Sequence, residues 1–395
     1  MWTIFKIVNL VWLLSCTYMW LTTFIPMTPL LVLVNVAMMI CMSSLLVKIE
    51  FNKTIGRVLA AIVAISLWYV WCDGPVMGLF TFMCYFPAIY LIWLPKDYQA
   101  DLLKFVTKWY AIMLGIGLVE YFMTLVMTIP NIGRFSFPGY MPYTNYGFYI
   151  KTTADNDFIN RFNAFFLEPG HQALVSLFLL MANKFKFKTN RYCILLALGV
   201  IFSFSLAGYI LATVGFILMW VNNVRKLILV VGTGAAMVIG ALTWNGGDND
   251  VNNLIISRLE YDEEKGIKGN NRFTIDTDLT FKRGQESGES WFGLRNRTNM
   301  KIIDGAGFKI FVIKFGWIGV ILSALFYLAV IPPGADRRYT TIFIVVLTLC
   351  FIQRAYPTWY SWILPYVLGI YLERKSSEGA ETDHMGFAKI ESTTC

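Results

Sequence analysis

Apolar runs of roughly 17 to 24 residues, the length an α-helix needs to cross ~30 Å of hydrocarbon, recur from the N-terminus to Leu372. Inside a bilayer every backbone N–H and C=O must be satisfied within the protein, and closely spaced runs of this length do so as helices. Composition agrees with that reading: 57% of residues are hydrophobic, 15% are charged and the mean hydropathy is +0.57. Ordinary soluble domains carry about 25% charged residues, so the chain is neither disordered nor a soluble globular protein. The expected fold class is an all-α polytopic membrane protein of about 12 transmembrane helices, with a range of 10–13.

The segments read at residues 5–24, 29–47, 58–73, 76–94, 106–129, 164–182, 192–205, 207–222, 226–244, 308–331, 340–354 and 357–372. The seventh and eighth are short enough for half-buried or re-entrant helices. The first run carries Lys6 but leads directly into further spans without a small-residue cleavage site, so it reads as a retained helix. Residues 1–372 are expected to form one transmembrane helical domain, with outer loops at 130–163 and 245–307 and a polar, disordered cytoplasmic tail at 373–395.

Orientation follows from basic residues. Under this count the clusters around Lys48, Lys53 and Arg57, Lys96 to Lys108, Lys184 to Arg191, Arg225 and Lys226, Arg337 and Arg338, and Arg374 and Lys375 all fall on one side. That side is expected to be the cytoplasm, with both termini there. The formal charge of +8 is then a topology signal and gives no reason to expect nucleic acid.

The large outer loop is strongly polar, with nine Lys and Arg and eleven Asp and Glu; the first holds the aromatic, proline-broken stretch Phe135 to Tyr149. A transporter usually keeps its loops short and its polar groups near the midplane, whereas here chemistry-capable residues gather at one face. The seven cysteines lack paired spacing and the only histidines are His171 and His384, so neither a thiolate nor a histidine-rich metal centre is expected.

The densest signal is Arg161-Phe-Asn-Ala-Phe-Phe-Leu-Glu168-Pro-Gly-His171-Gln172-Ala. If the stretch is helical, Arg161, Glu168 and His171 share a face. Alternatively Glu168 ends an extended segment and Pro169 opens a helix whose N–H groups point outward. Either arrangement makes a compact acid, base and cation cluster, in which a carboxylate can take a proton from a hydroxyl nucleophile. The plain alternative is that Glu168 and His171 bond neighbouring helices while Arg161 anchors the interface. Arg354, with Gln353 in a tight hairpin between apolar segments, stands out because an unpartnered charge there is costly. Glu120 is assigned to helix packing through a protonated or paired state.

R-F-x-A-x-F-x-E-P-G-H-x-A closely resembles the R-F-x-G-x-F-x-E-P-S-H-x-A signature of Wzy-type bacterial exopolysaccharide and O-antigen repeat-unit polymerases, relatives of the O-antigen ligase. Ser203-Phe-Ser205-Leu-Ala-Gly208-Tyr is similar to the family's S-x-S-R-G-x motif, Ser290-Trp-Phe-Gly293-Leu to its late outer-loop turn, and Gly316-Trp-Ile-Gly319 to a glycine pattern in the next helix. Two departures matter: Leu206 stands where family members often have arginine, and no histidine follows the large outer loop as it does in ligases. The second favours the polymerase.

The resemblance implies a GT-C-like fold in the bacterial cytoplasmic membrane, with glycosyl transfer on its outer face. A growing glycan on undecaprenyl diphosphate would be the donor, and a repeat unit on the same carrier the acceptor, for capsule, O-antigen or exopolysaccharide. Such a reaction needs a base, cations for the departing diphosphate and a groove for polyprenyl tails. Glu168 or His171 is the candidate base with Arg161 beside them. Arg258, Arg272, Arg295, Arg297 and Arg354 are candidate diphosphate ligands, and Tyr143 and Tyr146 candidate sugar-stacking residues. No cofactor is expected, arginines rather than Mg²⁺ neutralising the leaving group. The expected partners are lipid-linked oligosaccharides, membrane lipids, a chain-length regulator and a flippase. The alternatives are a ligase-type transferase and a transporter or flippase.

Overall fold

The computed structural model describes residues 1–15, 51–136, 142–152, 161–221, 275–294 and 307–374, and residues 225, 228, 232, 239, 240, 242–244, 252, 261, 262, 266 and 267. The expected second segment, most of the ninth and the tail beyond 374 lie outside the described residues.

Helices α1 (Trp2–Ser15), α2 (Lys53–Asp73), α3 (Pro75–Tyr85), α4 (Pro87–Trp93) and α5 (Lys96–Val126) precede the first outer loop. After it come α6 (Pro169–Ala182), α7 (Tyr192–Phe202) and α8 (Leu206–Trp220), then α9 (Ile275–Glu286) within the large outer loop. The last helices are α10 (Phe308–Ala329), α11 (Arg337–Gln353) and α12 (Tyr360–Leu372). Four stretches, Lys53–Asp73, Pro75–Trp93, Lys96–Val126 and Phe308–Ala329, are long and apolar enough to cross a membrane, consistent with an all-α membrane protein.

Local chemistry explains where these elements depart from the expected boundaries. The fourth segment is broken at Phe86, because Pro87 has no N–H to continue the helical ladder. The fifth starts ten residues early, at Lys96, since Asp97, Asp101, Lys104 and Lys108 extend the helix as a polar end. The first outer loop carries a small antiparallel sheet that the sequence reading did not anticipate: β1 (Gly133–Phe135), β2 (Tyr143–Asn145) and β3 (Ile150–Thr152). Tyr143 lies opposite Phe135 on one side and Thr152 on the other.

Two helices form the centre. Every residue from Gly170 to Ala182 of α6 and from Tyr360 to Tyr371 of α12 is buried, as an all-round apolar helix requires. They pack on each other, with α7 and α8 against α6 and with α1, α4, α5 and α11 against α12. They also run parallel. At their C-terminal ends Lys184 pairs with Glu373, and the Tyr339 hydroxyl of α11 donates to Met181 O at 2.9 Å. Lys96 donates to Arg374 O at the same end, where Lys6 and Trp2 both reach Asp101. Arg57 and Arg338 donate to Ile331 O and Leu218 O there. The basic clusters in the described residues therefore gather at one end of the bundle, and the N-terminal ends of α6 and α12 meet at the other.

At that other end α10 is kinked. Gly316 takes φ +68° and ψ 176°, a conformation that L side chains rarely adopt. The turn Ser290 to Leu294 fits into the kink: Leu294 N–H donates to Ile313 O at 2.8 Å, and Trp68 Nε1 donates to Phe315 O at 2.7 Å. The two glycine-containing motifs singled out in the sequence thus lie against each other, and a Cβ on Gly316 would stand 2.3 Å from Trp291 O.

Candidate active site

Glu168 ends an extended stretch, with φ −130° and ψ 133°, and Pro169 occupies the first position of α6, where its missing N–H costs nothing. This is the second of the two arrangements open from the sequence. Residues 161–168 are not helical, so Arg161, Glu168 and His171 do not share a helix face. Arg161 reaches the turn between α7 and α8 instead, donating from Nε to Ser203 O at 3.3 Å and from Nη2 to Phe204 O at 3.0 Å. Those carbonyls lie just past α7, where helix ends leave acceptors unsatisfied. Phe162 N–H adds a bond to Phe202 O, and the Ser205 hydroxyl caps α8 by accepting from Gly208 N–H.

The cation that joins Glu168 is Arg354. Its Nη2 donates to Glu168 Oε2 and its Nη1 to His171 Nε2. Arg354 is 3% exposed and His171 0%, whereas about a third of the Glu168 side chain, 34%, remains accessible. A guanidinium has only donors, so His171 Nε2 must accept, which fixes a neutral imidazole with its proton on Nδ1. Arg354 follows directly on α11, its N–H bonded to Cys350 O at 2.7 Å. Its approach to α6 depends on Gly170: a Cβ there would lie 2.9 Å from Nη2 and 3.5 Å from Cζ.

Two aromatic groups complete the corner. Tyr356 and Trp359, both half-buried in the α11–α12 connection, stack face to face with ring centres 4.2 Å apart and planes within 6°. Trp359 also meets the His171 ring edge-on at 5.0 Å. Behind Arg354 a half-enclosed cavity of about 170 Å³ runs between α10 and α11, its wall almost wholly apolar, formed by residues such as Val320, Tyr327, Leu347 and Phe351, with Tyr356 and Trp362 beside the arginine.

The first outer loop is tied to the same corner. The Tyr143 hydroxyl donates to Leu167 O at 3.0 Å, directly before Glu168. Burial pushes the Tyr143 phenol well above its ordinary value, and the Glu168 carboxylate adds to the shift, so it stays a neutral donor. At 3% exposure its ring is a strut for the Glu168 strand, and the sugar-stacking role expected of it does not fit. Tyr146 is half-buried and stacks on Tyr149 at 5.9 Å. Glu120 accepts from Phe148 N–H at 2.8 Å, so its role is to hold the loop onto α5 through the backbone. Lys309 pairs with Asp278 at 2.6 Å, joining α9 to α10.

Of the expected site residues, the structure brings Glu168, His171 and Arg354 together, and places Arg161 on the α7–α8 turn. Arg258, Arg272, Arg295 and Arg297 lie outside the described residues. Gly170, Tyr356 and Trp359 were not singled out from the sequence. The glycine's meaning depends on a distant arginine, and aromatic residues in a hairpin between apolar segments read as ordinary membrane-boundary residues. No family model, curated protein or solved structure matches the chain.

Proposed function

We propose that this chain is a membrane glycosyltransferase, a repeat-unit polymerase that moves a growing glycan from undecaprenyl diphosphate to a lipid-linked repeat unit. The observation that carries the reading is a buried arginine, held by a carboxylate and a neutral imidazole, at the polar end of an apolar cavity. A lipid diphosphate has that same division into a charged head and an apolar tail. Arginine binds phosphate oxygens through several donors at once, and Nε of Arg354 is buried with no acceptor among the described residues. The N–H groups at the start of α6 add positive potential beside it.

In this mechanism the acceptor hydroxyl oxygen bonds to the anomeric carbon as the bond to the diphosphate oxygen breaks. Glu168, the accessible member of the cluster, takes the hydroxyl proton. Arg354 receives the charge that builds on the leaving diphosphate. His171 holds the guanidinium in place; its Nε2 lone pair is already engaged, which leaves Glu168 as the base. The bundle is then a GT-C-like fold of about twelve spans in the bacterial cytoplasmic membrane, its basic end and both termini inside.

The test is polymerisation of the purified native undecaprenyl-diphosphate repeat unit by detergent-solubilised protein in the presence of EDTA. Wild type should form a ladder of products, and Glu168→Gln and Arg354→Lys should not. A folded wild type that forms no ladder, or a Glu168→Gln variant that forms a normal one, overturns the assignment.

A further inference from the structure

We propose that the Tyr356–Trp359 stack is the binding surface for the first sugar of the donor, the residue joined directly to the diphosphate; this rests on the polymerase reading. The sugar-stacking role expected of Tyr143 is vacant, because that ring is buried and its hydroxyl is committed to Leu167 O. A sugar one bond away from a phosphate held by Arg354 must lie within a few ångströms of the guanidinium. The aromatic surface in that position belongs to the same short connection: Tyr356 N–H donates to Arg354 O at 2.9 Å and Trp359 N–H to Tyr356 O at 3.1 Å.

The pair is built to hold its place. Trp359 lies flat against Tyr356 at 4.2 Å, and the Tyr327 hydroxyl of α10 ties down the connection by donating to Pro357 O at 2.7 Å. Trp359 is further fixed edge-on to His171 at 5.0 Å and against Trp362 at 5.4 Å. Tyr356 forms part of the cavity wall beside Arg354, so its ring lies where the tail, the diphosphate and the first sugar meet. The C–H groups on one face of a pyranose pack on a flat aromatic surface, as aromatic and apolar groups do in general. Arg354 then reads the diphosphate, which every donor shares, and the aromatic pair reads the sugar, which differs between donors.

The test compares binding of bare undecaprenyl diphosphate with that of the same carrier bearing its repeat unit, using detergent-purified wild type, Tyr356→Leu, Tyr356→Trp and Trp359→Phe. Wild type should bind the glycosylated carrier roughly threefold to tenfold more tightly. Tyr356→Leu should remove that preference while still binding the bare carrier, and Tyr356→Trp should keep it. Trp359→Phe preserves a ring behind Tyr356 and should retain most of the preference. If Tyr356→Leu weakens both ligands equally, the ring is only cavity wall and the proposal fails. If Tyr356→Leu keeps the full preference, the proposal fails while the polymerase reading stands. If wild type binds neither carrier, the polymerase reading itself is refuted.

Discussion

Gly170→Ala isolates the placement of Arg354 from its presence. The new Cβ would stand 2.9 Å from Nη2. Ordinary contact needs ~3.5 Å, so the guanidinium must retreat by about 0.6 Å. An arginine head on the surface would move at little cost, but this one is 3% exposed and bound at Nη1 and Nη2 to two different side chains. The retreat stretches both bonds. Charge-assisted hydrogen bonds contribute about 1.5–3 kcal/mol each, and partial loss of the two is offset by the ~0.5–1 kcal/mol that alanine gains over glycine in a helix. Net destabilisation should therefore be only about 1–2 kcal/mol, leaving the protein folded. If Arg354 stabilises the leaving diphosphate as proposed, misplacing it by a fraction of an ångström should slow transfer by about tenfold or more. The assay pairs thermal unfolding of the detergent-purified variant with initial rates of polymer formation. A folded Gly170→Ala variant with the wild-type rate would refute the reasoning, because the position of the guanidinium would then not matter.

Tyr143→Phe removes the single hydroxyl that donates to Leu167 O, at a cost of about 1 kcal/mol in stability, and should slow polymer formation by more than the loss of folded protein accounts for; equal losses in the two measurements would make Tyr143 purely structural. Gly316→Ala should prevent recovery of monodisperse protein after detergent extraction, since its Cβ would meet the Trp291 carbonyl at 2.3 Å with φ at +68°, whereas Gly133→Ala, with nothing within 4 Å, should extract normally. The combined variant Glu168→Gln, His171→Leu, Arg354→Met should unfold at or above the wild-type temperature while forming no polymer, because buried ion pairs are often no more stable than well-packed apolar replacements. A large loss of stability in that variant would mean that the cluster holds the fold together.

How far the sequence reached depended on the distance over which each feature is determined. The helix start at Pro169 and the extended Glu168 were legible as one of two alternatives because proline acts on its own residue and the one before. Arg354 stood out because a charge between apolar segments needs a partner, but that partner lies 186 residues away and nothing local identifies it. Proximity along the chain suggested Arg161 instead, which the fold uses on the carbonyls after α7. Likewise, three-residue strands in a proline-broken aromatic loop are too short to show alternation, so the sheet that carries Tyr143 was not visible. The glycines at 293 and 316 were noticed as a pattern, but their reason, a turn seated in a helix kink, exists only in three dimensions.

The two ends of the α6–α12 pair argue for what the cluster does. Among the described residues each end carries a cation–carboxylate pair between the same two parts of the chain. At one end Lys184 and Glu373 are 30% and 28% accessible, so water screens both charges and the pair adds little. At the other, Glu168 is similarly accessible at 34%, but the Arg354 side chain is 2% exposed, which leaves its charge inside and only one carboxylate partly outside. Packing alone gives no reason for that imbalance, since an apolar side chain between α10, α11 and α12 would avoid the desolvation cost altogether. Under the proposed reading, an anion arriving from the cavity side would accept from Nε and share the guanidinium with Glu168, its counter-ion among the described residues, loosening the hold on that carboxylate. The guanidinium and the carboxylate balance each other in this structure; under the proposed mechanism a diphosphate at Arg354 would add negative charge beside Glu168 and favour its taking up a proton, which would couple occupation of the site to the action of the base.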